Sequence, residues 1–316
     1  MHYFQPILGI LFMVGLCLLL SRDRRTALRH WRIIAWGFGL QFVFALLVLK
    51  TSGGQKVFDV VQDGFLAVIG AANEGAQFVF GDIADPAREG GAILAFAFLT
   101  VIVFFASLMA MLYHLGIMQL LVKAVAWVMF RTMGISGSEA LNAAANIFLG
   151  MTEAPFMIRP FVPRLTKSEL MAVMTGGFAT VAGSVMAVYI GFLNEQVPNI
   201  AGHLMAASVM SAPAGLVFAK ILIPETEQSE TAGTLRAELK SPYDNLLDAA
   251  AGGATEGMKL MINVIAMLIA FVAAVALVNV FMGWLSEDLF GAATPLTVQQ
   301  IFGWLFSPLA WMMGGP

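Results

Sequence analysis

The chain is interrupted at its centre by Asn146-Ile147-Phe148-Leu149-Gly150-Met151-Thr152-Glu153-Ala154-Pro155, which brings an amide, a hydroxyl, a carboxylate and two helix breakers into apolar surroundings. An ionised Glu in hydrocarbon costs about 3 kcal/mol on insertion scales, so Glu153 is expected to face a wet cavity or a polar partner. Pro155 lacks a backbone donor and Gly150 relaxes the backbone. The stretch therefore predicts an interrupted helix, and helix ends that meet at membrane depth form substrate sites in transporters.

The composition indicates a polytopic membrane protein. Of 316 residues, 59% are hydrophobic and 12% are charged, against about 25% charged residues in a typical soluble domain. The net charge of -3 gives no basic footprint for nucleic acid, which excludes that class of partner. Cys17 is the one cysteine, so no internal disulfide is possible.

Hydropathy and the positions of positive charges predict six membrane spans and one hairpin. The densest positive cluster follows the first apolar run and is expected on the cytoplasmic side, which places the N-terminus outside. The predicted spans are 4–20, 33–49, 91–113, 168–193, 203–223 and 258–285. Two further stretches, 56–80 and 115–132, are expected along the membrane surface, and 224–242 is a polar cytoplasmic loop. We divide the chain into scaffold helices over 1–113 and a transport-core portion over 114–316.

The predicted hairpin covers 138–163. Positive residues flank it at both ends, and each arm has about a dozen residues, fewer than the roughly 20 that a spanning helix needs. The span 168–193 carries glycine and hydroxyl residues from Thr175 to Ser184, which favours an unwound segment at mid-depth. The same glycines, Gly176, Gly177 and Gly183, could equally permit close helix packing.

These features predict an all-α fold, a polytopic membrane protein with a re-entrant hairpin and a broken transmembrane helix. Such a unit is half of an inverted-repeat transporter core. Ala126-Trp127-Val128-Met129, before the hairpin, has an echo in Ala310-Trp311-Met312-Met313. We expect from this echo a second hairpin beyond Pro316, which the present chain lacks; two unrelated amphipathic segments are the alternative.

Three segments closely resemble the concentrative nucleoside transporters. They are 146–155 with Ile158-Arg159-Pro160, the run 177–187, and the later run 263–273. The resemblance implies a trimeric transporter coupled to sodium or protons, in which each protomer encloses its own substrate path between two hairpins and two broken helices.

The resemblance also implies roles for individual residues. Gly150, Met151, Thr152 and Glu153 at the hairpin tip would meet the nucleobase side of the substrate, with an apolar contact from Val185. A sodium ion would be bound by the side chains of Asn146 and Thr180 and by the carbonyls of Leu149 and Val181. Sodium prefers oxygen ligands, and breaks in two helices free carbonyls that intact helices would keep. Where the family commonly has Gln this chain has Met151, so one hydrogen-bond partner for a base is missing.

Each of these residues could instead have a purely structural role. Glu153 could pair with a neighbouring helix, Asn146 could bond only its neighbours, and Thr180 could bond back to its own helix. Asn142 shares the helix face of Asn146, so it either lines the cavity or bonds within the hairpin.

The functional hypothesis is a secondary active transporter that imports nucleosides across a bacterial inner membrane by sodium symport, with no other cofactor. Proton coupling and an inactive fragment or assembly subunit are the alternatives. An intramembrane enzyme with Glu153 as base is disfavoured, because the spans show no paired acid, nucleophile motif or metal cluster.

Overall fold

The computed structural model describes residues 5–85, 87, 93–151, 153–194, 196–234, 241–286 and 296–314. The described residues form helices and connecting turns, without a strand, which confirms the all-α prediction. The α-helices are α1 Gln5–Leu20, α2 Arg24–Arg29, α3 Trp31–Lys50, α4 Ser52–Phe80, α5 Leu94–Ala97, α6 Val101–His114, α7 Ile117–Met133, α8 Gly137–Asn146, α9 Lys167–Ala179, α10 Gly183–Leu193, α11 Ile200–Leu222, α12 Leu246–Trp284 and α13 Val298–Met312. Two 3-10 helices cover Gly81–Ala84 and Ala154–Arg164.

The membrane spans agree with the sequence prediction at five places. Segments long and apolar enough to cross a bilayer are Trp31–Val48, Leu94–His114, Lys167–Leu193, Ile200–Leu222 and Leu246–Trp284. The sixth predicted span corresponds to α1, a shorter apolar helix of 16 residues. The side of the membrane on which each end lies stays a prediction.

The helix α12 begins twelve residues before the predicted span at 258. Gly253 and Gly257 let its first part lie directly on α6: a Cβ added at Gly253 would stand 2.7 Å from the Ala106 carbonyl oxygen. The Ser107 hydroxyl also donates to the Ala250 carbonyl at 2.9 Å. Hydropathy alone placed the start later because this first part carries Asp248 and other polar residues, while close packing keeps it helical.

The stretch predicted to lie along the surface as 56–80 forms the continuous 29-residue helix α4. It packs against α3, α6, α10 and α11. Gln62 is buried on α4, where its amide donates to Asn194 Oδ1 at 3.0 Å and its carbonyl accepts from the Ala201 backbone at 2.8 Å. These two bonds satisfy the amide nitrogen and the amide oxygen of the buried Gln62 side chain.

The chain divides into two compact units. The larger unit, 21–261, contains the hairpin and the broken span, and α11 is its central helix, packed against α3, α4, α8, α9 and α10. The smaller unit joins 1–20 with 262–316, and within it α1 packs against α13. Our earlier division at residue 113 stays a prediction.

The positive cluster after α1 includes the short helix α2. Asp23 caps this helix: its carboxylate accepts from the backbones of Arg25 and Thr26 and from the Thr26 hydroxyl, the last at 2.6 Å. The Thr26 hydroxyl bond is the main cause that holds the pKa of Asp23 below its ordinary value. The cap satisfies backbone donors at the start of α2.

Candidate functional site

The predicted re-entrant hairpin is present. Its first arm is α8, and all ten residues of that helix are buried. Its second arm is the 3-10 helix Ala154–Arg164, an unusual length for a 3-10 helix, which seldom exceeds four residues. Pro155, Pro160 and Pro163 lie in this arm, and each lacks the donor that an α-helix would need. The arms have 10 and 11 residues, as the prediction of about a dozen required.

The predicted broken span is also present, with a narrower break than expected. The helix α9 continues to Ala179, Thr180 is extended at φ -108° and ψ 158°, and α10 begins at Gly183. Gly176 and Gly177 therefore stay helical and serve as packing positions: a Cβ at Gly177 would stand 2.8 Å from Met151 Cβ. The unwound segment is confined to 180–182.

The two interruptions are joined directly through their backbones. The Gly183 N–H at the start of α10 donates to the Phe148 carbonyl in the hairpin turn at 3.1 Å. The preceding carbonyl, of Ile147, accepts from the Ser208 hydroxyl of α11 at 3.0 Å. Hydrogen bonds that continuous helices would satisfy internally are thus exchanged between the hairpin and its neighbours.

Asn146 and Thr180, predicted to share a sodium ion, border the same glycine. A Cβ at Gly176 would stand 3.4 Å from Asn146 Nδ2, and the Thr180 hydroxyl donates to the Gly176 carbonyl at 2.9 Å. Thr180 therefore does bond to its own helix. A hydroxyl that donates one hydrogen bond keeps its lone pairs as acceptors. Both side chains therefore lie at Gly176, and their sharing of one ion stays a prediction.

Asn146 is 1% exposed, and neither its Oδ1 nor its Nδ2 has a hydrogen-bond partner among the described residues. A buried amide without a partner costs about 1–3 kcal/mol, so such a group marks a place where a further ligand belongs. Leu149 is buried and follows directly in the hairpin turn. Val181 packs its side chain against the apolar cluster of α4, α6 and α10, so only its backbone could bind an ion.

The predicted substrate residues differ in exposure. Met151 is 53% exposed and Glu153 is exposed, while Gly150 and Val185 are half-buried. The Glu153 carboxylate accepts a long bond of 3.4 Å from the Gly150 backbone, which leaves its other oxygen for a solute. Thr152, the remaining predicted contact, lies outside the described residues. The hairpin tip can thus present a carboxylate and a flexible apolar side chain to a ligand.

Two helix starts below the tip carry matching caps that the sequence analysis missed. Ser136 and Glu139 form a capping box at α8, and Thr166 and Glu169 form one at α9. The pattern of a hydroxyl residue followed three positions later by Glu was visible in the sequence. Each carboxylate satisfies backbone donors at its own helix start.

A buried polar cluster connects these caps to α11. Glu139 forms an ion pair with Lys220 at 2.5 Å, with both side chains at most 5% exposed. Lys220 also donates to the Ser168 hydroxyl at 2.8 Å. Glu169 accepts from Ser138 at 2.8 Å and from Ser229 at 2.6 Å. The starts of the hairpin and of the broken span are thereby held to one end of α11.

A cavity of about 300 Å³ lies behind the two breaks. It is lined by side chains of α4 and α6 together with Ile147, Phe148 and Gly183. Its lining is almost entirely apolar, which does not suit a nucleoside, whose base and sugar need polar partners.

In the described part of the chain no three His, Cys, Asp or Glu side chains come close enough to hold a metal ion. A hairpin tip that meets a broken span is the arrangement of a secondary transporter.

Comparisons with known proteins agree with this class. Family models described as Na+ dependent nucleoside transporter N-terminus and C-terminus match residues 8–83 and 203–316, and a nucleoside recognition model matches 95–196. The chain is 42% identical to an uncharacterized transporter of Haemophilus influenzae over 99% of its own length and 73% of that protein. It is 39% identical to human solute carrier family 28 member 3, over 97% of this chain and 42% of that one.

A solved structure of CNTnw in an inward-facing substrate-bound state superimposes with a TM-score of 0.89. It is 41% identical, and the match covers all of this chain and 73% of that one. The present chain thus spans about three quarters of its bacterial relative and less than half of the mammalian one. The chain belongs to the concentrative nucleoside transporter family, a family of membrane transporters and not of enzymes.

Proposed function

We propose that the protein imports nucleosides across a bacterial inner membrane by symport with sodium. The observation that carries the proposal is the buried Asn146 carboxamide, which has no hydrogen-bond partner among the described residues and borders the same glycine, Gly176, as Thr180. Relatives named sodium/nucleoside cotransporter 1 and 2, from rat, match over 95% of this chain and support the same reading.

The donor set suits a hard monovalent cation. Asn146 would contribute its amide oxygen, Thr180 its hydroxyl oxygen, and Leu149 and Val181 their carbonyls. These are neutral oxygen ligands, which alkali cations accept and transition metals do not favour. A bound ion would satisfy the Asn146 oxygen and hold the hairpin turn against the broken span.

The nucleoside would lie on the other side of the same turn. Gly150, Met151, Thr152 and Glu153 would face its base, with Val185 giving an apolar contact from α10. The Glu153 carboxylate is an acceptor for hydroxyl or amino groups. Because ion and solute contact one turn of backbone, binding of either would favour the arrangement that binds the other, and by linkage the two effects are equal.

The test is nucleoside uptake into proteoliposomes containing the purified protein, at fixed pH, with an inward gradient of sodium, potassium or choline chloride. We expect accumulation only with sodium, and loss of accumulation in Asn146→Ala. Uptake that ignores sodium but follows an imposed pH gradient would establish proton coupling instead. Absence of uptake under every gradient would favour an inactive fragment or an assembly subunit.

We also propose that the protein works as a homotrimer in the bilayer. The support is the resemblance to trimeric family members. Native mass spectrometry in mild detergent should give a particle of three 33.9-kDa chains. A monomer that retains full uptake activity after reconstitution at high dilution would contradict the trimer.

A further inference from the structure

Asn142 has an unsatisfied acceptor one helical turn before Asn146. It is 1% exposed, and its Oδ1 has no hydrogen-bond partner in the part of the chain that the structure describes. Residues four apart on a helix share one face and are separated by about 6 Å along the axis. Both carboxamides meet the same surface of α9, since a Cβ at Gly176 would stand 3.4 Å from Asn146 Nδ2 and 3.8 Å from Asn142 Nδ2.

The unsatisfied atoms on this face are complementary. Asn146 offers a donor, Nδ2, and an acceptor, Oδ1, whereas Asn142 offers the acceptor Oδ1. If Asn146 Oδ1 binds a cation, its Nδ2 is directed away from the ion and needs an acceptor. Asn142 Oδ1 is a buried acceptor of this kind on the same helix face; the two atoms are not hydrogen-bonded to each other in this structure, and a turn of the carboxamides or one bridging water would join them.

We propose that Asn142 is a positioning residue that fixes the orientation of the Asn146 carboxamide, so that oxygen and not nitrogen faces the sodium ion. This inference rests on the sodium symport proposed above. A carboxamide presents an oxygen or an NH2 group after a half-turn about its last side-chain bond, and the NH2 group repels a cation. By accepting from Nδ2, Asn142 selects the orientation that binds. With the ion on Asn146 Oδ1 and with Asn146 Nδ2 donating to Asn142 Oδ1, all three of these atoms have a partner.

Gly176 makes the arrangement possible sterically. With no Cβ, it leaves room for two carboxamides between α8 and α9, and Gly215 of α11 in turn lies close to Gly176, since a Cβ there would stand 3.6 Å from Gly176 Cα. The polar face therefore lies against closely packed backbone of α9 and α11. In such surroundings an amide that turns the wrong way finds no compensating partner, so its orientation has a large effect on ion affinity.

The test compares variants of Asn142 in proteoliposomes and in detergent. Asn142→Leu keeps the approximate volume and removes the acceptor, and Asn142→Ala is a smaller variant suited to a helix that already contains Ala143, Ala144 and Ala145. Loss of one hydrogen bond predicts a sodium concentration for half-maximal uptake that is about three- to tenfold higher. The nucleoside KM at saturating sodium should stay within about twofold.

Asn142→Asp keeps an acceptor oxygen and should bind sodium at least as well as the unaltered protein. Leu141→Ala is the matched control: it removes a fully buried side chain from the same helix and should lower the melting temperature without changing the sodium requirement. These two variants separate a loss of orientation from a general loss of packing.

The outcomes are distinguishable. An uptake rate and a melting temperature that do not change when sodium is added would overturn both the symport and this inference. Sodium-dependent uptake with an unchanged sodium requirement in Asn142→Leu and Asn142→Ala would overturn the role of Asn142 alone. A sodium requirement raised equally in Asn142→Asp and in Leu141→Ala would reduce Asn142 to a packing residue and contradict the proposal.

Discussion

Lys220 of α11 is a buried charge that contacts the start of the hairpin through Glu139 and the start of the broken span through Ser168. It pairs with Glu139, which is 1% exposed, so removing the ammonium leaves a buried carboxylate without its counter-charge. Breaking such a pair costs about 3–5 kcal/mol. We expect Lys220→Met to lower the melting temperature in detergent sharply, with partial recovery when Glu139→Gln is added. The matched control is Lys259→Met, whose pair with Glu256 is exposed and worth at most about 1 kcal/mol. An equal decrease in melting temperature in Lys220→Met and Lys259→Met would show that the buried pair contributes no more to stability than the exposed pair.

Met151 is the residue at which the substrate preference can be tested. It is half-exposed at the hairpin tip and packs beside Gly177, and the resemblance places a Gln at this position. Met151→Gln adds a donor and an acceptor where a base would lie. A hydrogen bond there is worth about 0.5–1.5 kcal/mol net, so the nucleoside KM should fall about two- to tenfold for bases with a matching edge. Met151→Leu is the control with no polar group. A nucleoside KM lowered equally in both variants would show that the base makes no hydrogen bond at this position.

At the scale of elements, the contact between the hairpin turn and the broken span depends on Gly183. A Cβ there would stand 2.7 Å from a ring carbon of Phe105 and 2.8 Å from the Phe148 carbonyl oxygen. Gly183→Ala must therefore push α10 away from α6 and weaken the bond to Phe148. We expect uptake to fall at least tenfold while the protein still reaches the membrane. Gly75→Ala is the control, since nothing lies within 4 Å of its added Cβ. Normal uptake by Gly183→Ala would mean that this contact is not part of the transport cycle.

The elements also show what the sequence could and could not predict. The hairpin and the break followed from local chemistry, because Gly150, Pro155 and the Thr180 region each favour a non-helical backbone. The 3-10 form of the second arm did not follow, although its prolines were visible. The Glu139–Lys220 pair joins residues far apart in sequence, so no local pattern could reveal it. The two capping boxes could be recognised in the sequence. The helices that they bring together are set by tertiary packing, which no local pattern shows.

At the scale of the whole molecule, sodium should stabilise the protein before any nucleoside is added. A ligand that binds only the folded state adds about 2.7 kcal/mol at a concentration one hundred times its Kd. Sodium chloride should therefore raise the melting temperature of the detergent-solubilised protein in a saturable manner, while potassium and choline chloride at equal ionic strength should not. The same increase should be lost in Asn146→Ala.

Linkage extends this prediction to the substrate. If the ion holds the hairpin turn against the broken span, a nucleoside must raise the apparent sodium affinity by the same factor by which sodium raises nucleoside affinity. Isothermal titration of each ligand, with and without the other, measures both factors. Factors of about one for both ligands would show that ion and nucleoside bind independently and would contradict the shared hairpin turn. An equal stabilisation by potassium, or one that persists in Asn146→Ala, would place the cation elsewhere in the molecule.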